Sequence, residues 1–171
     1  MKHWVALLRG VNVGGRTIRM AELRSALEEA GLQNVETILQ SGNVRFDSPD
    51  DAGRLKDRLE KTLRERFGYD AKVQVVERDQ LNRIVEAYPF GKADASRHDY
   101  VIFLERGLER DLAGEEVELG AQELVAAGDG VVYWRVDKGS TLQSAFGKLL
   151  TKAKYRDFNT NRNLRTLRKL L

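Results

Sequence analysis

Two short polar stretches hold the residue types and spacings that could do chemistry. Arg9-Gly10-Val11-Asn12-Val13-Gly14-Gly15-Arg16 combines guanidinium, amide and glycine, and Gln40-Ser41-Gly42-Asn43 adds two amides and a hydroxyl. Glycines let backbone N–H groups approach a ligand closely, Arg9, Arg16 and Arg19 supply positive charge, and a helix starting near Met20 would add its N-terminus. Such a set suits an oxyanion. The spacing matches neither the P-loop pattern nor Gly-x-Gly-x-x-Gly, so it carries no nucleotide fingerprint. The competing reading is a strand-to-helix turn in which Asn12 bonds its own backbone.

The elements that must position these stretches follow from periodicity. His3 to Arg9 alternates as a strand, and Met20 to Ala30 places Leu23, Ala26, Leu27 and Ala30 on one helical face, stopped by Gly31. Val35 to Gln40 and Asn43 to Asp47 are strands joined by a two-residue turn, Ser41-Gly42. Ser48 is expected to cap the next helix, with Pro49 in its first turn. Leu55, Leu59, Leu63 and Phe67 form that helix's stripe, Gly68 ends it, and Ala71 to Val76 is a strand. The order β-α-β-β-α-β defines a ferredoxin-like unit, in which the end of β1 and the β2–β3 hairpin share one rim.

The plan recurs. After a helix capped by Asp79 and a linker over Pro89 to His98 come a strand at Asp99 to Leu104 and a helix from Glu109 to about Leu119. A hairpin pairing Glu123–Ala127 with Val131–Val136 follows, then a helix opened by the capping box Ser140-Thr141-Leu142-Gln143. Lys154 to Asn159 is too polar to read as the closing strand, and Asn161 to Leu171 reads as a terminal helix. Glu105-Arg106-Gly107 echoes Leu8-Arg9-Gly10 at the end of the first strand of each half. The fold class is therefore α/β (α+β) with two ferredoxin-like units and largely antiparallel sheets. The expected division is 1–77 for the first unit, 78–98 for a connecting helix and linker, and 99–171 for the second unit with a basic terminal helix.

Composition removes whole classes of function. With 171 residues, 0 Cys and 2 His, the chain offers no disulfide, thiolate nucleophile or cysteine zinc site. His3 lies at a strand start and His98 in the linker, neither with a ligand-spaced partner, so no metal and no cofactor are expected. Ser41 lacks an identifiable base and a nucleophile elbow. No apolar run approaches the roughly 20 residues of a membrane span, and the N-terminus shows no signal-peptide core, so the cytoplasm is the expected setting. Residues 135–171 hold ten Lys and Arg against two acids, a balance of +8 within a net charge of +3. That basic C-terminus places a positive field at one end of the fold.

The stretches Ala6 to Gly15, Met20-Ala21-Glu22-Leu23 and Gln40-Ser41-Gly42-Asn43-Val44 resemble the opening signature of the bacterial domain-of-unknown-function family number 1697. Thr160-Asn161-Arg162-Asn163-Leu164-Arg165-Thr166, with Lys169-Leu170, resembles that family's C-terminal Thr-Thr-Arg-Asn-Trp-Asn-Thr motif. Leu164 stands where the family usually has Trp, Arg165 where it has Asn, and Asn161 where it has the second Thr. The resemblance implies a two-unit ferredoxin-like fold and brings no established activity. It singles out Arg9, Gly10, Asn12, Gly14, Gly15, Gln40, Ser41, Gly42, Asn43, Arg162, Asn163 and Thr166, to which Arg16 is added from the loop itself. A terminal helix packed on the first unit would carry Arg162 and Asn163, in its first turn, to the rim of Asn12 and Asn43.

Three functions fit these residues. The leading one is a module that binds a phosphate-bearing ligand or nucleic acid at the glycine-rich rim. The second is an enzyme acting on a phosphorylated small molecule, with Arg9 and Arg162 clamping charge and Asn12 or Asn43 orienting it. The third is a protein-interaction module whose partner the sequence does not name. Stacking of bases in the manner of an RNA-recognition motif is disfavoured, because Phe46 shares the core face with Val44 while Arg45 faces outward alone.

Overall fold

The computed structural model describes residues 1–12, 14–105 and 107–171, so the Arg106 of the repeated echo and Val13 of the glycine-rich loop lie outside it. Two compact units emerge: Met1–Asn82 with Lys169–Leu171, and Arg83–Arg168.

The first unit runs β1 (Lys2–Arg9), α1 (Met20–Glu29), β2 (Gln33–Ile38), β3 (Asn43–Ser48), α2 (Ala52–Phe67), β4 (Lys72–Glu77) and the start of α3 (Arg78–Glu86). Its strands lie in the order β2-β3-β1-β4 with antiparallel pairing, the ferredoxin-like arrangement. Trp4, Ala6 and Leu8 on β1 meet Val44 and Phe46 on β3, Leu23 and Leu27 on α1, and Leu55, Leu59 and Leu63 on α2 in one core. Spacing by four residues puts the α2 leucines on one stripe, each contributing about 1.5–3 kcal/mol when buried. Gly68 closes α2 in a left-handed conformation at φ 67°, as the sequence indicates.

Several local expectations need correction here, and Asp79 lies inside the first turn of α3, which opens at Arg78, rather than capping it. The cap of α2 is Asp51, whose carboxylate accepts from the Arg54 amide at 2.9 Å, because Ser48 is still part of β3 and gives its carbonyl to the Trp4 indole. The β2–β3 connection spans residues 39–42 rather than two, with Leu39 at φ 59° and Gly42 at φ 80°. β2 starts earlier than its apolar pattern indicates, since a register shift between Gln33 and Glu36 absorbs the polar Asn34.

The second unit repeats the order with β5 (Arg97–Leu104), α4 (Leu108–Ala113), β6 (Glu123–Ala127), β7 (Val131–Asp137), α5 (Ala145–Leu150), α6 (Ala153–Arg156), β8 (Asn159–Asn163) and α7 (Leu164–Lys169). The sheet order β6-β7-β5-β8 reproduces that of the first unit. Here the sequence reading misplaces three elements. α4 stops at Ala113, where Gly114 breaks the pattern, instead of running to Leu119. α5 begins after Ser144, not Ser140: the Ser144 hydroxyl accepts from the Gly147 amide at 3.1 Å, while Leu142 is 79% exposed. The closing strand is the asparagine-rich Asn159–Asn163, paired antiparallel with β5, and the terminal helix starts only at Leu164. An edge strand needs one pairing partner and only one buried side, so polar residues serve.

Arg135, counted among the C-terminal cations, is not part of a solvated field. The residue is 7% exposed on β7, and its guanidinium donates to Asp99 at 2.6 and 3.2 Å and to the carbonyls of Phe90 and Lys92 at 2.7 and 2.8 Å. The Asp99 hydrogen bond raises the guanidinium further above its ordinary value. Tyr88 donates to the same carboxylate at 2.5 Å, and burial, seconded by that bond, pushes its phenol far upward. One buried cation thus holds the segment between α3 and β5. Breaking a buried pair strands the surviving charge, so Asp99→Ala is expected to cost about 3–5 kcal/mol in urea unfolding.

Candidate functional site

The β1–α1 loop and the β2–β3 hairpin meet at one rim of the first sheet. Leu8 donates its amide to the Gly42 carbonyl at 2.8 Å, extending the β1–β3 ladder past Asn43. A Cβ on Gly42 would lie 2.9 Å from the Leu8 Cβ and 3.0 Å from the Val11 Cγ2, so only glycine lets the hairpin close over the end of β1. Asn12 then ties the two stretches together: its Nδ2 donates to the Gln40 carbonyl at 2.8 Å and its Oδ1 accepts from the Ile18 amide at 2.7 Å. Asn12 itself is left-handed at φ 58°, a conformation asparagine tolerates. Asn43 is fully buried, with Nδ2 donating to the Ile38 carbonyl at 3.1 Å and the Ser41 hydroxyl at 2.7 Å. Both amides are therefore engaged in building the rim.

What lies above that framework is open. Gly14 and Gly15 have φ of 63° and 76°, and an added Cβ at either would meet nothing within 4 Å. α1 follows with Arg19 at its N-cap and no side chain capping its first turn. Its backbone amides carry the positive end of the helix dipole. Arg16 places its guanidinium 4.5 Å from the ring centre of Tyr69, which follows Gly68 into β4. The Tyr69 hydroxyl is buried without a hydrogen-bond partner, and burial raises its ionisation above the ordinary value. A buried, unpartnered hydroxyl calls for an explanation. Tyr69 is the residue that the sequence reading missed; its position directly after a helix-ending glycine gives no chemical signal.

The C-terminal candidates fall in the second unit. Arg162 and Asn163 lie in β8 rather than in a first helical turn, with Arg162 opposite Val101. Burial lowers the Arg162 guanidinium to about 10, and one of its NH groups donates to the Asn161 carbonyl at 3.0 Å. Asn163 accepts from the Arg165 amide at 2.9 Å and so opens α7, where Thr166 is half-buried. Leu164, Leu167 and Leu170 are the buried leucines of this end, while Leu171 is only half-buried. Arg9 and Gly10 end β1, with Arg9 opposite Lys72 of β4.

Other recesses are self-satisfied or different in kind. A groove of about 350 Å³ along α1 and α2 is lined by Glu29 and Arg66, which pair with each other at 3.0 Å. Among the described residues, no group of three His, Cys, Asp or Glu could hold a metal ion, and no helix is long and apolar enough to cross a membrane.

Fold and rim define a protein of two ferredoxin-like units with a glycine-rich loop stitched to a hairpin. The chain belongs to the family described as "Protein of unknown function (DUF1697)", which it matches over residues 1–133. Among solved structures it is similar to the conserved bacterial protein SP0830 from Streptococcus pneumoniae, with 27% identity and a TM-score of 0.82 over 99% of this chain and 96% of that one. No curated protein matches it.

The rim geometry makes the glycines unequal. Gly42→Ala combines a left-handed backbone with a clash and is expected to cost about 3 kcal/mol in chemical denaturation. Gly14→Ala meets only the backbone strain and is expected to cost about 1 kcal/mol.

Proposed function

We propose that this protein is a cytoplasmic binding module for a phosphate-bearing ligand, held where the β1–α1 loop crosses the β2–β3 hairpin. The observation that carries the reading is the uncapped N-terminus of α1 beside two glycines with free space over them, both anchored through Asn12. Backbone N–H groups at such a terminus attract an oxyanion without a lysine or a metal. Arg16 and Arg19, both exposed, add charge at the same place. Catalysis is not part of the proposal, because the amides of Asn12 and Asn43 that would orient a substrate already hold the loops.

The test is a thermal-shift titration with inorganic phosphate, a nucleoside monophosphate, a sugar phosphate and a short single-stranded RNA. A ligand at a hundred times its Kd adds about 2.7 kcal/mol to the native state, which raises Tm by roughly 5–10 °C. That shift is expected from at least one phosphate monoester and is expected to be lost in the Arg16→Ala, Arg19→Ala double variant. A shift from RNA alone, with affinity falling log-linearly as salt rises, would replace this reading with nucleic-acid binding. Absence of any shift overturns both.

A further inference from the structure

At the other end of β1 lies a second polar cluster, in a cleft of about 230 Å³ lined in part by His3, Asn34, Glu36, Arg45, Asp47 and Arg78. Cross-strand register places His3 opposite Asp47 and Glu36 opposite Arg45. The His3 Nδ1 lies 2.6 Å from Asp47 Oδ1, and the Asn34 amide donates to Asp47 Oδ2 at 2.7 Å. The Asn34 and His3 hydrogen bonds hold the Asp47 carboxyl below its ordinary value. An ionised carboxylate only accepts, so Nδ1 must carry the proton and Nε2 is left to the solvent side. The His3 side chain is 66% exposed, which makes that nitrogen reachable.

The chain spends strain on this arrangement. Asn34 is left-handed at φ 50° and sits in the register shift of β2, the device that turns its amide toward Asp47. Ion pairs neutralise most charges around the cleft, leaving Arg78 without a direct partner among the described residues and Asp47 held by the His3 imidazole and the Asn34 amide. Arg45 is paired with Glu36, Lys2 with Glu77 at 3.8 Å, and Arg24 with Glu28 at 2.9 Å. Both Asp47 oxygens are occupied by His3 and Asn34. Arg78, half-buried at the start of α3, has no hydrogen bond or ion pair among the described residues and acts on Glu36 and Asp47 only through its field.

We propose that this cleft is an oxyanion site in which Arg78 supplies the fixed charge and the His3 Nε2, oriented through Asp47 and Asn34, supplies a proton-dependent hydrogen bond. The shared chemistry is a tetrahedral or carboxylate oxyanion of a small ligand. An imidazole that carries both protons donates from Nε2 while Nδ1 stays bonded to Asp47, so the site binds an anion more tightly in that form. The polar groups that line the cleft with His3 are Asp47 and Arg45 from β3, Asn34 and Glu36 from β2, and Arg78 from α3.

The experiment is an NMR titration of the whole protein with sulfate and, separately, with acetate, following the His3 imidazole and Trp4 indole signals, with His98 as internal control. Neither anion changes its protonation between about pH 6 and pH 8, so any pH dependence belongs to the protein. Sulfate or acetate is expected to move the His3 and Trp4 signals, with affinity falling as pH rises and the second imidazole proton is lost. Response to sulfate alone assigns a phosphoryl-type ligand, and response to acetate a carboxylate. Arg78→Ala is expected to abolish binding, and His3→Gln to leave it weaker and flat with pH. Unmoved His3 and Trp4 signals, unchanged binding in Arg78→Ala, or persistent pH dependence in His3→Gln would each overturn the proposal. Gly14 and Gly15 amide signals report the opposite rim in the same spectra, so failure here and failure of the phosphate-binding reading are told apart.

The same network carries a pH signature without any ligand. A carboxyl held below its ordinary 3.8 stabilises the fold above that value and loses the contribution as pH falls through the lowered one. The stability difference between the wild type and Asp47→Asn is therefore expected to shrink as urea unfolding is repeated from about pH 5 downward.

Discussion

There is room for a hydrogen atom and nothing larger at position 42. Because Gly42 lies against Leu8 and Val11, the hairpin folds down onto the end of β1 and its carbonyl receives the Leu8 amide. That closure brings the Gln40 carbonyl within reach of Asn12, and Asn12 in turn catches the Ile18 amide just ahead of α1. Loop, hairpin and helix start are thus coupled through one side chain. The glycines at 14 and 15 serve a different purpose, since nothing crowds them and their freedom faces outward. One end of the strand is built by close packing so that the loop above it can present backbone.

β1 works as a rigid spacer between two polar ends. From His3 to Arg9 it extends roughly 20 Å at the usual strand rise, far beyond the Debye length at physiological ionic strength. Charges at the glycine-rich rim and at the His3 cleft therefore influence each other little. Buried residues from Trp4 to Leu8 keep the spacer stiff. The second unit shares the topology but holds its incoming segment with a buried guanidinium, where the first uses an amide. Equal folds are stabilised by unequal chemistry, and the polar residues, not the leucines, distinguish the halves.

Much of this was legible in order along the chain. The leucine stripe of α2, the stop at Gly68 and the alternation in β1 and β3 follow from spacing, because a buried face needs an apolar residue at every turn or every second position. β8 was not legible: Asn159–Asn163 contains no apolar residue, and its strand conformation comes from the hydrogen bonds that β5 offers. The start of α5 was misplaced for a similar reason. Ser140 and Ser144 are both competent caps, and the choice falls on Ser144 because Gly147, which a Cβ would bring to 1.9 Å from the Thr141 carbonyl, allows the preceding loop to fold against the helix. Arg135 looked like one more surface cation, since sequence lists charges without saying which are paired.

Sequence alone determined the repeated β-α-β-β-α-β order, the family and the meeting of the glycine-rich loop with the Gln40–Asn43 hairpin, since these depend on local periodicity and on the fixed topology of the unit. Tertiary structure alone decided that Asn12 and Asn43 are structural, that Arg162 lies in a strand and that His3 has a partner in Asp47. Those outcomes turn on distances between residues far apart in the chain. A one-residue change in strand register moves a side chain to the other face, and no single-sequence pattern resolves that step.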